Sequence, residues 1–160
     1  MDSRSLYQEV ILDHNKKPRN WGKLVDATHV SEGVNPLCGD HIWVSLKLTD
    51  RNIESVAFEG QSCAICKASA SMMTTAVKGK SLDDAEHLID GFRAMVTGKA
   101  TDDESKPLLG RLTVFSGVSD IPARVKCAVL PWHTLHSALH AEISATTEGA
   151  ADPIPGAPIR

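Results

Sequence analysis

Three cysteines, each standing where the pattern of the chain changes, constrain this fold more than any single run of residues. Cys38 and Asp40 lie in the stretch NPLCGD, where Pro36 and Gly39 bend the backbone so that two side chains one residue apart can face one point. Cys63 follows Gly60 at the passage from an extended run to a helical one, and Cys127 follows the cations Arg124 and Lys126. Thiolates with a carboxylate are the ligands that close a tetrahedral site around zinc or iron. A fold that uses them together must bring three distant junctions to one place, as the loop ends of a rigid scaffold do.

The runs between these junctions read clearly. Leu6, Val10 and Ile11 share a face and predict a short helix over residues 5 to 14. From His41 to Thr49 the period is two, with Ile42, Val44, Leu46 and Leu48 on one side, which predicts a half-buried strand. A turn at Asp50-Arg51-Asn52 leads to a second extended run, Ile53 to Phe58, so an antiparallel hairpin is expected, completed by a third strand from about Val25 to Glu32. AICKASASMMTTAV predicts a helix closed by Gly79. Ser81 and Asp84 then open another, carrying Leu82, Ala85, Leu88, Ile89, Phe92 and Val96 as an apolar stripe. GKATDDESK reads as a solvated loop and Pro107 to Leu112 as a short helix. The last helix is expected over Val129 to Ile143, starting close to Pro131, with Cys127 on its opening turn. The fold class is therefore α+β, a small three-stranded antiparallel sheet with helices packed on it. Residues 1–143 form one domain, and 144–160, rich in Pro, Gly and Ala, are read as a flexible tail.

Composition narrows the partners. Seventeen basic against 20 acidic residues give a formal charge of -3, no electrostatic footprint for nucleic acid or an anionic membrane. The opening residues lack the apolar core of a signal peptide, so a cytoplasmic protein is expected. In a reducing compartment four cysteines read as metal ligands or reactive thiols rather than disulfides.

NPLCGD, the segment GQSCAICKASASMM with the VKGKSLDDA that follows, and RVKCAVLPW resemble the three cysteine motifs of the NifU N-terminal/IscU/SufU family of iron-sulfur cluster assembly proteins. LYQEVILDHNKKPRN is similar to that family's opening helix, and the likeness runs from about Leu6 to Ala141. The interval of 63 residues between Cys63 and Cys127, longer than in IscU-type members, marks the SufU branch. The resemblance implies an α+β fold and a Zn2+ ion on Cys38, Asp40, Cys63 and Cys127. It also implies persulfide sulfur received from a SufS-type, pyridoxal-phosphate-dependent cysteine desulfurase, a zinc-dependent sulfurtransferase role. In IscU-type members the same positions hold a transient [2Fe-2S] cluster, so a non-enzymatic scaffold serving other Suf assembly proteins or apo iron-sulfur acceptors is the alternative.

Within that frame Cys38 is the expected sulfur acceptor, because a Gly-flanked loop moves more readily than a helix-anchored ligand; Cys127 is the second choice. Cys66 departs from the family pattern, which commonly has Ser there. It reads either as a spare ligand or C-x-x-C partner of Cys63, or as a small buried helix residue, and the second reading is favoured. Arg124 and Lys126 are expected to favour the Cys127 thiolate, and read equally as steering charges and as solvated ones. His41 neighbours Asp40 but reads as a surface residue. His133, His136 and His140 have helical spacing and, lacking a carboxylate partner in the pattern, read as a polar helix face. Met72, Met73 and Trp132 are expected in the core.

Overall fold

The alternation that begins at His41 is the spine of the computed structural model, which describes residues 3–99, 108–141 and 144–147. Strand β2, Asp40–Thr49, pairs antiparallel with β1, His29–Asn35, on one side and with β3, Asn52–Gln61, on the other. Ile42, Val44 and Leu46 are buried on one face, as their spacing requires. Ile53 and Val56 differ in parity, yet both are buried, because the register slips between Lys47 and Leu48. That bulge sets two β3 residues against one of β2 and returns the apolar side to the core. The hairpin turns on Asp50 and Arg51, both at positive φ (51° and 66°), the two-residue geometry whose twist matches that of the strands.

The helices α1 (Ser3–Lys16), α2 (Ala64–Val77), α3 (Leu82–Val96) and α4 (Pro122–Leu139) enclose the core with this sheet, and 3₁₀ turns at Gly110–Asp120 lead into α4. Ser81 caps α3 by accepting the Asp84 amide at 3.1 Å. Met72, Met73 and Trp132 are buried as expected. The Trp132 ring stacks on Phe92 at 4.5 Å and its indole N–H donates to Ser69 Oγ at 3.1 Å. Ser69 in turn donates to the Ala128 carbonyl at 2.6 Å, tying α2 to α4.

Several boundaries differ from the sequence reading. The first strand begins at His29 rather than Val25 and runs to Asn35, directly into the NPLCGD turn. Beyond Leu108 and Leu109, the expected short helix is replaced by the 3₁₀ turns; Pro107 and most of the preceding loop lie outside the described residues. The last helix starts at Pro122, whose missing amide hydrogen costs nothing at a first helical position, and carries Pro131 in its interior. An interior proline is disfavoured by about 3 kcal/mol. Burial of Ala128, Leu130, Trp132, Leu135 and Ala138 along the same helix outweighs it. Cys127 consequently sits in the second turn of α4, not on its opening turn.

The three antiparallel strands are joined by a fourth, β4, Ser144–Thr146, in the order β3-β2-β1-β4, and β4 runs parallel to β1 with Gly33 opposite Ala145. The stretch read as a tail from residue 144 therefore opens with a strand, followed by the amide of Thr147 donating to the Val34 carbonyl at 3.1 Å. The rest of that expected tail lies outside the described residues. No helix among the described residues is long and apolar enough to cross a membrane.

Candidate metal centre

The end of β1, the start of β2, the junction of β3 with α2 and the second turn of α4 meet at one corner of the sheet. Across β1 and β2, Asn35 stands opposite Asp40, and the turn between them is closed by the amides of Cys38 and Gly39 donating to the Asn35 carbonyl at 3.2 and 2.9 Å. Gly39 at φ +73° occupies the left-handed conformation that lets Cys38 and Asp40 point to the same place. Cys38 is exposed at the rim, whereas Asp40 and Cys127 are buried.

Ligand atoms of Cys38, Asp40 and Cys127 all lie within 4.8 Å of one another, with the two sulfurs 3.3 Å apart. Cys63 joins from the other side, its Sγ 3.8 Å from Asp40 Oδ2 and its backbone N–H donating to Asp40 Oδ1 at 2.7 Å. The four residues predicted from sequence are thus neighbours. Cys66 is not among the converging ligands. It is fully buried, and burial pushes its thiol well up, with the charges of Asp40 and Cys63 adding to the effect.

Cys63 is the N-cap residue of α2, and its sulfur accepts the amide of Cys66 at 3.4 Å. The thiol of Cys127 beside it and these helix-end amides bring Cys63 down to about 7, against the opposing effect of burial. Cys127 moves the other way, first because its proton is held toward Cys63 and then because it is buried. The expectation that Arg124 and Lys126 favour the Cys127 thiolate is therefore corrected. Arg124 is exposed on the first turn of α4, and the thiol faces inward among the other sulfurs. The helix-end amides favour the anion on Cys63, a pull that Cys127 lacks.

Two supporting residues carry no signal in a ligand pattern. Asn35 is fully buried, and its amide nitrogen lies 3.3 Å from Asp40 Oδ2 and 3.7 Å from Cys127 Sγ, a fork holding two of the donors. Its Oδ1 accepts the hydroxyl of Thr147 at 3.0 Å, which orients that fork from just past β4. His41 turns away as expected, pairing with Glu32 and stacking on Trp43 at 4.3 Å. Three sulfurs and one buried carboxylate form a donor set that suits Zn2+ or iron.

Residues 6–128 match the family described as NifU-like N terminal domain. The chain is 44% identical over 138 residues to the zinc-dependent sulfurtransferase SufU of Bacillus subtilis, covering 86% of this chain and 92% of that protein. It is 40% identical over 134 residues to the iron-sulfur cluster assembly scaffold protein IscU of Streptococcus pyogenes serotype M1, covering 84% and 82%. A crystal structure described as an iron-sulfur cluster assembly scaffold protein for the SUF system, from Fervidobacterium islandicum AW-1, superposes with a TM-score of 0.78 at 36% identity, covering 86% of this chain and 99% of that one. The fold, the converging cysteines and these alignments agree: the protein belongs to the NifU-like N-terminal domain family.

Proposed function

We propose that this protein is a sulfur carrier in iron-sulfur cluster assembly. It binds Zn2+ through Cys38, Asp40, Cys63 and Cys127, and accepts sulfur on Cys38 from a SufS-type, pyridoxal-phosphate-dependent cysteine desulfurase in the cytoplasm. The observation that carries the reading is the convergence of Cys38, Asp40 and Cys127 within 4.8 Å, with Cys63 against Asp40. Zinc supplies charge that keeps sulfur ligands deprotonated, and it has no redox chemistry of its own.

Their places in the fold support a division of labour among the four residues. Cys38 is exposed on a glycine-bent turn, so a donor sulfur can reach it; Cys127 is buried on a helix and Cys63 is pinned at a helix cap. The Cys38 thiolate attacks the outer sulfur of the donor persulfide. A new S–S bond forms on Cys38, the donor's S–S bond breaks, and the donor cysteine leaves as a thiolate, so one sulfur atom moves without net oxidation. Asn35 and the Cys63 amide hold Asp40 in place, so that carboxylate keeps its orientation while Cys38 moves. The sulfur then passes to other Suf assembly proteins or apo iron-sulfur acceptors.

The 40% identity to an IscU scaffold supports a second reading, in which the same four ligands hold a [2Fe-2S] cluster. Metal analysis with a desulfurase assay separates them. Stoichiometric zinc, a Cys38 peptide heavier by one sulfur after reaction, and desulfurase stimulation lost in folded Cys38→Ala are expected. Iron with acid-labile sulfide that reaches an apo acceptor, without desulfurase stimulation, would overturn the carrier reading in favour of the scaffold.

A further inference from the structure

Away from the cysteine corner, α3 and the end of α4 build a second cluster of ligands. His136 lies in the last turn of α4 and His140 caps it, four residues on, so the two rings share a face; Glu86 reaches them from α3. Glu86 Oε1 is 3.7 Å from His136 Nδ1 and 3.5 Å from His140 Nε2, and the three ligand atoms lie within 4.8 Å of one another. The carboxylate missing from the sequence pattern of histidines is supplied by the fold.

These distances are long for hydrogen bonds, whose N···O separation is about 2.7–3.2 Å. They approach the spacing of two ligands on one ion: bonds of about 2.0–2.1 Å at the tetrahedral angle put neighbouring donors roughly 3.4 Å apart. The Glu86 Oε1 atom is buried and accepts no hydrogen bond among the described residues, so it is aimed into the cluster without a proton donor to satisfy it. The two imidazole planes are inclined at 66° with centroids 4.3 Å apart. His140 is half exposed, which leaves the outer side open to water as a further ligand.

We propose that Glu86, His136 and His140 form a second divalent-cation site, selective for a late first-row ion such as Zn2+ and separate from the cysteine centre. Two imidazoles and one carboxylate suit zinc, cobalt, nickel or iron(II), and disfavour Mg2+ and Ca2+, which take oxygen ligands. His136 is nine residues beyond Cys127 on α4, about 13 Å along the axis, so the two sites do not share an ion. Neighbouring groups set the field: Asp90 and Glu86 act on Arg93 of α3, and His133, one turn before His136, is kept neutral by burial and by Arg93. An ion here cross-links α3 to the helix that carries Cys127.

The test uses the full chain with its cysteine site already loaded with one equivalent of zinc. Equilibrium dialysis against Zn2+, with bound metal measured per chain, is expected to give a second equivalent for the wild type. The same measurement should give only the first for Glu86→Gln and for His140→Ala, with the second affinity weakened at least about tenfold. NMR of the imidazole protons reads the site without any functional assay: Zn2+ should shift His136 and His140, and Mg2+ at the same concentration should not. A single equivalent in the wild type, or a second equivalent unaffected by Glu86→Gln and His140→Ala and therefore adventitious, would overturn the proposal.

Discussion

Replacing Gly33 by alanine tests how closely α4 must lie on the sheet for the cysteines to converge. Gly33 has an ordinary extended backbone, so a side chain there is not strained by φ, and in a strand it should gain roughly 0.5–1 kcal/mol from reduced chain entropy. The obstacle is space. A Cβ would stand 1.9 Å from Thr134 Oγ1, 3.1 Å from Thr134 Cβ and 3.3 Å from Leu130 Cδ1. Non-bonded atoms rest near 3.5 Å, so about 1.5 Å must be found. Thr134 is fully buried, and its hydroxyl donates to the Leu130 carbonyl at 2.7 Å. Either that bond is lost as the side chain rotates, or α4 moves off β1.

Overpacking costs about 1–3 kcal/mol and the hydrogen bond about 1, giving a net loss of roughly 1–3 kcal/mol after the entropic gain. For a chain of this size that lowers Tm by about 3–10 °C. Because Cys127 sits two turns before Thr134 on α4, a shift of the helix also opens the 3.3 Å contact with Cys38, and zinc affinity falls with it. Thermal denaturation and zinc competition against a chelator read the two effects. Thr134→Ala removes the 1.9 Å contact, so the double variant Gly33→Ala/Thr134→Ala should recover at least half of both losses. Melting of Gly33→Ala within about 1 °C of the wild type, or no recovery in the double variant, would refute the packing argument.

Two further outcomes follow from the thiols and from a partly buried histidine. In metal-free protein, iodoacetamide should modify exposed Cys38 quickly and buried Cys66 only on unfolding, and in Cys38→Ala the rate at Cys63 should rise through about pH 7; peptide mass spectrometry that finds Cys66 labelled as fast as Cys38 contradicts the burial. His133 is held neutral in the fold, lowered to about 4 from 6.5 by burial first and then by Arg93 and His136. Between these values the unfolded chain binds a proton that the folded one refuses, so this contribution, about 3 kcal/mol, is intact above pH 6.5 and is lost as pH falls toward 4. Urea unfolding at a series of pH values should show the wild type weakening relative to His133→Gln across that window, and parallel curves would contradict it.

The four converging residues were legible because each sits in local chemistry that announces itself: a Pro/Gly-bent turn, the passage from a strand to a helix and the approach to a helix. The hairpin and α3 were legible for the same reason, since period two and a capped apolar stripe are local properties. What escaped were relations between ordinary residues distant in the chain. Asn35 and Thr147 are 112 positions apart, and nothing in either segment says that a threonine beyond a Pro/Gly-rich boundary orients the amide that holds Asp40. Pro131 misled because its local preference is to begin a helix, whereas packing along α4 keeps the helix running through it and carries Cys127 inward. That same continuity brings the end of α4 beside α3, where Glu86 meets His136 and His140. Helical spacing alone leaves those histidines as a polar face, and only tertiary packing supplies the third ligand. With the proposed second site, one helix carries candidate donors for two ions, Cys127 near its start and the histidines at its end. Loading of the second site should then stiffen the support on which the first depends. Protection of the α4 amides from hydrogen exchange in zinc-saturated wild type, but not in Glu86→Gln at equal occupancy of the cysteine site, is the signature that this coupling requires.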